Sequence, residues 1–255
     1  MPDARLAGVL RPLFCAVGFL TRLPVPHTEL EERDVARSAA YFAWVGLALG
    51  AALWGLSRLF GSLGGPLGSL LLVAAWAWLT GGLHLDGLAD TVDGLSGGRG
   101  DRARTLEIMR DSRIGSHGAV ALVLGLGIKA AALVRARELG LDAVWCAPAV
   151  ARFGCTLLLA SFPYARAQGL GSAFAGRVGA LEVGVGALAL GLPVVLLGPA
   201  STGYALGACA GLGCALLLAF RVRQRLGGLT GDVHGAAIEV CEIGMLIGLC
   251  AFPLR

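Results

Sequence analysis

The sequence predicts an all-α fold, a polytopic membrane helical bundle of about seven transmembrane helices preceded by an interfacial or re-entrant N-terminal helix. Three observations carry this. Hydrophobic residues make up 56% of the chain and charged residues only 15%, against about a quarter charged in a soluble domain. The mean hydropathy is +0.75. The apolar residues fall in runs near the ~20 needed to cross a hydrocarbon core.

In chain order, residues 1–21 are moderately apolar but carry Arg5, Arg11 and Pro12, which places them at an interface rather than across a bilayer. The run ends in Thr21-Arg-Leu-Pro-Val-Pro26, without the small-residue cleavage site of a secretory signal. A polar segment, 29–37, leads into the first span, 38–56. The other predicted spans are 66–84, 117–134, 143–162, 178–197, 203–220 and 236–252. Neither an internal repeat nor a low-complexity linker interrupts them, so residues 1–255 read as a single integral-membrane domain.

Orientation follows from the arginines. With seven spans, thirteen lie in segments 22–37, 87–116, 163–177 and 221–233, against Arg58, Arg135, Arg137 and Arg255 on the other side. Basic residues accumulate on the cytoplasmic side, so the sequence predicts a multi-pass membrane protein with a cytoplasmic N-terminus. The same topology gathers Asp86, Asp90, Asp93, Asp111 and Asp232 on that side.

The net charge of +4 suits anionic lipid or anionic substrates, and no nucleic-acid motif accompanies it. Seven cysteines, mostly inside apolar runs and without metal-like spacing, read as reduced core residues. Glycines four apart, as in Gly46/Gly50, Gly207/Gly211 and Gly244/Gly248, let helices approach closely and permit a homo-oligomer.

The chemistry concentrates in Gly81-Gly-Leu-His-Leu-Asp-Gly-Leu-Ala-Asp-Thr-Val-Asp-Gly94. On a helix, positions four and seven apart share a face, so Asp86, Asp90 and Asp93 form one acidic stripe. A stripe of this kind calls for a cation. Mg²⁺ is commonly held by one or two carboxylates together with substrate phosphate oxygens, so the stretch predicts a metal-diphosphate site at the mouth of a membrane helix. Downstream, Arg110 and Arg113 flank Asp111 just before Gly115 and Gly118. Guanidinium forks and a helix entry suit phosphate, the favoured reading, with a juxtamembrane anchor as the alternative.

Charges inside the spans are costly and imply a buried partner or a polar cavity. Lys129, Arg152, Glu239 and Glu242 are of this kind, with Asp232 and His234 just before the last span. These charges serve a substrate cavity or a transport path.

Five separated motifs share their order with a known family: Phe19-Leu-Thr-Arg-Leu-Pro-Val-Pro26, the 81–94 stretch, Met109-Arg-Asp-Ser-Arg-Ile-Gly115 with Lys129, Tyr164-Ala-Arg166 with Gly169-Leu-Gly171, and the Thr230-Gly-Asp232 segment. Over nearly its whole length the chain resembles the cobalamin synthase (adenosylcobinamide-GDP ribazoletransferase) family. The resemblance implies a Mg²⁺-dependent membrane enzyme that joins adenosylcobinamide-GDP to α-ribazole or its 5′-phosphate and releases GMP, late in vitamin B12 assembly.

It further implies metal binding by Asp86, Asp90, Asp93 and Asp232, with Asp232 an alternative base and His84 orienting an aspartate or contacting substrate. Substrate binding would fall to Arg110, Asp111, Arg113, Lys129, Arg152, Arg166, Glu239 and Glu242. His117 and His234 stand where the family usually has uncharged residues, and read as local substitutions in a wet cavity rather than added metal ligands. A weaker likeness links Asp86-Gly-Leu-Ala-Asp90 to CDP-alcohol phosphotransferases, although the stretch is one residue shorter and lacks their arginine. A lipid headgroup transferase and a membrane transporter are therefore the alternative readings.

Overall fold

The computed structural model describes residues 4–26, 29–141, 145–166, 170–197 and 201–252. Its ordered elements are helices: α1 (Ala4–Leu20), α2 (Glu32–Ser38), α3 (Phe42–Phe60), α4 (Gly65–Leu79), α5 (Leu83–Gly97), α6 (Arg102–Ile108), α7 (Ser116–Glu138), α8 (Ala147–Ser161), α9 (Ala180–Leu197), α10 (Ser201–Leu226) and α11 (Gly231–Ala251). Each of the seven predicted apolar runs holds a helix, with residues 143 and 144 of the fourth run lying outside the described residues. Glu32–Leu63, α7, α10 and α11 are long and apolar enough to span a bilayer, and α4 with α5 makes a fifth span if the bent pair is counted as one. The helices α8 and α9 are apolar but shorter.

The molecule turns one layer of large apolar residues outward, among them Leu59, Leu70, Trp78, Val123, Val195 and Leu217. Water would not tolerate so extensive an exposed apolar surface, and lipid does. The centre belongs to α11, which packs against α5, α7, α8 and α10 and buries Val233, Ala237, Met245 and Leu249. Helix α8 is also enclosed: every residue from Ala147 to Thr156 is buried, so its apolar character serves the protein interior rather than lipid.

The predicted span 66–84 is broken. Helix α4 ends at Leu79, and Gly81 (φ 67°) and Gly82 (φ 73°) both adopt left-handed backbone, a conformation that glycine enters without steric cost. The axis bends by 91° into α5. Discontinuous membrane helices place polar groups inside a bundle, and here the break delivers the 83–97 stretch alongside α11 and α7. Helix α1 ends beside the same break, where the Arg22 N–H donates to the Leu79 carbonyl at 2.8 Å and the guanidinium lies 6.0 Å over the Trp78 ring.

Candidate active site

The crossing of α5 and α11 depends on small residues. A methyl group added at Gly87 would lie 2.6 Å from the Asp232 carbonyl oxygen, and one at Gly235 would lie 3.3 Å from the His84 Cα. Two helices that meet without side chains bring Asp232 into the electrostatic neighbourhood of Asp90, together with Asp86, Asp93 and Arg166. Arg166 Nη2 pairs with Asp232 Oδ2 at 2.8 Å, and the Thr230 hydroxyl donates to the same oxygen at 3.2 Å. Thr230 also caps α11 by accepting from the Val233 N–H at 3.3 Å.

The loop that carries Arg166 is tied down by backbone. Ala165 N–H donates to the Leu229 carbonyl at 2.8 Å and Leu229 N–H to the Pro163 carbonyl at 2.9 Å, forming a parallel bridge between Tyr164 and Leu229. Arg102 clamps this end through bonds of 2.9 Å to the Leu226 and Ala165 carbonyls.

Beside the acidic residues lies a cavity of about 180 Å³. Phe19, Phe42, Phe174, Leu159 and Ile238 give it an apolar wall, and His84, Asp86, Tyr164, Arg166, Asp232 and His234 supply its polar side. The three phenylalanines form a ring cluster with centroids 5.8–6.0 Å apart. Both histidines are buried.

A family model described as cobalamin-5-phosphate synthase matches residues 12–250. The chain belongs to the cobalamin-5-phosphate synthase family. It is 40% identical to an adenosylcobinamide-GDP ribazoletransferase of Geotalea daltonii, with 97% of this chain and 100% of that protein aligned. It is 42% identical to one of Klebsiella pneumoniae (strain 342), over 94% and 100% respectively, and 40% identical to one of Pseudomonas putida (strain W619), over 93% and 98%. No solved structure matches the chain.

Within this member of the family, the sequence-predicted residues divide into groups. Asp86, Asp90 and Asp232 come together as described. Asp93 lies on the same helix, but both its oxygens are engaged: Gly115 N–H donates to Oδ2 and Gly118 N–H to Oδ1, each at 2.8 Å. It thereby caps the N-terminus of α7, whose orphan donors favour a carboxylate.

Arg113 is spent on Asp111, with bonds of 3.0 Å and 2.6 Å that hold the Asp111 carboxyl down at about 2. Arg110 and His117 are exposed.

Lys129, Arg152, Glu239 and Glu242 do not line the cavity. They form a closed ion cluster behind it: Lys129 pairs with Glu239 at 2.8 Å and with Glu242, and Glu242 pairs with Arg152. Lys129 Nζ also lies 4.3 Å over the Trp76 ring, and Arg152 Nη2 reaches His84 Nδ1 at 3.3 Å. Two cations and two carboxylates neutralise each other, which is the condition for keeping charges out of water. The sequence predicts substrate contacts for these four; the structure pairs them with one another, and His84 joins Arg152 to the cavity lining.

Among the described residues, no group of three His, Cys, Asp or Glu side chains stands close enough to hold a metal ion unaided. The carboxylates of Asp86 and Asp90 nevertheless make no hydrogen bond among the described residues. Two free carboxylates whose remaining ligand positions are filled by substrate phosphate are a common Mg²⁺ arrangement, so the donor set fits an ion that arrives with a diphosphate. The sequence reading missed Phe42 and Phe174, which are apolar residues among many others and carried no distinguishing signal.

Proposed function

We propose that the chain transfers the adenosylcobinamide phosphate moiety of adenosylcobinamide-GDP to α-ribazole or α-ribazole 5′-phosphate. The reading rests on one observation beyond family membership. Asp86 and Asp90, whose carboxylates are free of hydrogen bonds among the described residues, stand with the Arg166–Asp232 pair beside a cavity sized for a small aromatic group.

In the reaction, an acceptor sugar hydroxyl attacks the phosphorus bonded to the cobinamide oxygen. The phosphoanhydride bond breaks, GMP leaves with the bridging oxygen, and the hydroxyl proton passes to a carboxylate of the Asp86, Asp90 and Asp232 cluster. Phosphoryl transfer is catalysed mainly by positioning and charge neutralisation. Arg166 presents one guanidinium edge to Asp232 and neutralises charge at the attacked phosphate. Arg110, exposed on the loop after α6, would meet the nucleotide. Asp86, Asp90 and Asp232 would hold Mg²⁺, which when bound steadies the diphosphate charge and the leaving oxygen.

The arginine distribution supports a cytoplasmic site in the inner membrane. Arg102 and Arg225 make their contacts at the acidic end of the bundle, whereas Arg58 and Arg137 line a different pocket with Gly61 and Gly140.

The test is product identity. Detergent-purified protein given adenosylcobinamide-GDP and α-ribazole phosphate should yield one GMP for each new corrinoid, identified by mass spectrometry. Release of CMP from a CDP-alcohol instead, or substrate flux across sealed vesicles without nucleotide release, would replace this reading with the lipid-transferase or transporter one.

A further inference from the structure

Two imidazoles, His84 and His234, line the same cavity, and each has a buried Nε2 without a hydrogen-bond partner. Their other nitrogens fix what those atoms can do. Arg152 Nη2 can only donate, and it lies 3.3 Å from His84 Nδ1, so Nδ1 is the acceptor and Nε2 of His84 carries the proton. The Thr230 carbonyl can only accept, and it lies 2.7 Å from His234 Nδ1, so the proton of that ring sits on Nδ1. In the neutral ring, the tautomer that this bond selects leaves Nε2 unprotonated. Its Nε2 is therefore an acceptor. The two imidazoles thus give the cavity an unpaired donor and an unpaired acceptor, in addition to the unpaired Arg166 Nε, and such groups are costly to bury unless something bonds to them.

We infer that this cavity is the subsite for the acceptor's base: a flat bicyclic heteroaromatic ring with one unprotonated nitrogen, held by His84 Nε2–H, while His234 Nε2 accepts from a hydroxyl of the attached sugar. The inference rests on the transferase reading and adds which substrate enters here. At about 180 Å³ the cavity has room for a two-ring base and is far too small for a corrin macrocycle. A guanine would bring a carbonyl, an amino group and ring N–H groups, each requiring a polar partner. The wall of Phe19, Phe42, Leu159, Phe174 and Ile238 offers none and suits an apolar ring that stacks on aromatic edges. The sugar end then faces Asp86, Asp232 and Arg166, where the attacked phosphate is bound.

The experiment compares benzimidazole riboside with indole riboside as acceptors for the full-length protein in detergent, with GMP release as the readout. The two differ only in the ring nitrogen that His84 would meet. For the wild type, the indole compound should show a KM at least about 10-fold higher, the effect of leaving a buried donor unpaired. In His84→Phe this ratio should collapse toward one. In His234→Leu, KM should rise for both acceptors with the ratio retained, and KM for adenosylcobinamide-GDP should be unchanged.

Equal KM values for the two acceptors in the wild type would overturn the subsite, and that comparison requires no variant to fold. A ratio that survives in folded His84→Phe would overturn the role of His84. No GMP with either acceptor, from wild-type protein shown to be folded, would overturn the transferase reading itself and the subsite with it.

Discussion

Arg166 Nη2 lies 2.8 Å from Asp232 Oδ2 and 3.5 Å from the Met109 carbonyl, so one guanidinium joins the start of α11 to the end of α6. These segments are far apart in sequence, and the acidic site exists because Arg166 and the bare crossing at Gly87 hold them together. Arg166→Ala should lower kcat by about 100-fold through lost positioning and charge neutralisation. Steady-state GMP release measures it, and Arg166→Lys should recover only part, because an ammonium lacks the fork.

The three aspartates of α5 should separate by role. Asp86→Asn and Asp90→Asn should abolish turnover with an unchanged melting temperature, since neither carboxylate makes a hydrogen bond among the described residues. Asp93→Ala should instead lower stability by about 1–2 kcal/mol by uncapping α7. Thermal unfolding in detergent beside the turnover assay distinguishes the two classes.

Gly87→Val should disrupt the site without touching any ionisable group. An added Cβ already lies 2.6 Å from the Asp232 carbonyl, which is backbone and cannot swing aside, so α5 must move off α11. The expected outcome is loss of activity and a melting temperature lowered by an amount equivalent to about 1–3 kcal/mol.

Glu242→Ala removes the carboxylate shared by Lys129 and Arg152 and leaves two buried cations with Glu239 alone. Destabilisation of about 3–5 kcal/mol is expected. Denaturation in detergent checks this, and a loss below about 1 kcal/mol would contradict the closed cluster.

Helical periodicity explains why much of this was legible in the chain. Spacings of four and seven put Asp86, Asp90 and Asp93 on one helix, and the apolar runs located the spans. Other features depend on contacts that one-dimensional spacing does not encode. Asp93 is drawn to the N-terminus of α7, a partner 22 residues away for Gly115 and 25 for Gly118. Lys129, Arg152, Glu239 and Glu242 were recognisable as intramembrane charges in need of partners, but only packing shows that they satisfy one another. The span 66–84 ends early because two successive glycines take left-handed backbone, which hydropathy does not sense. His234 looked like an isolated polar substitution, and the bond to the Thr230 carbonyl gives its ring a defined acceptor face.

The measurement that tests the central claim most directly is GMP release by the purified chain from adenosylcobinamide-GDP, with and without α-ribazole phosphate, in Mg²⁺ or in chelator, for wild type and Asp86→Asn. The account predicts release only from the wild type, only with acceptor and only with metal. Release of similar size from Asp86→Asn, or from the wild type in chelator, would contradict the assignment of the acidic cluster as the metal-diphosphate site.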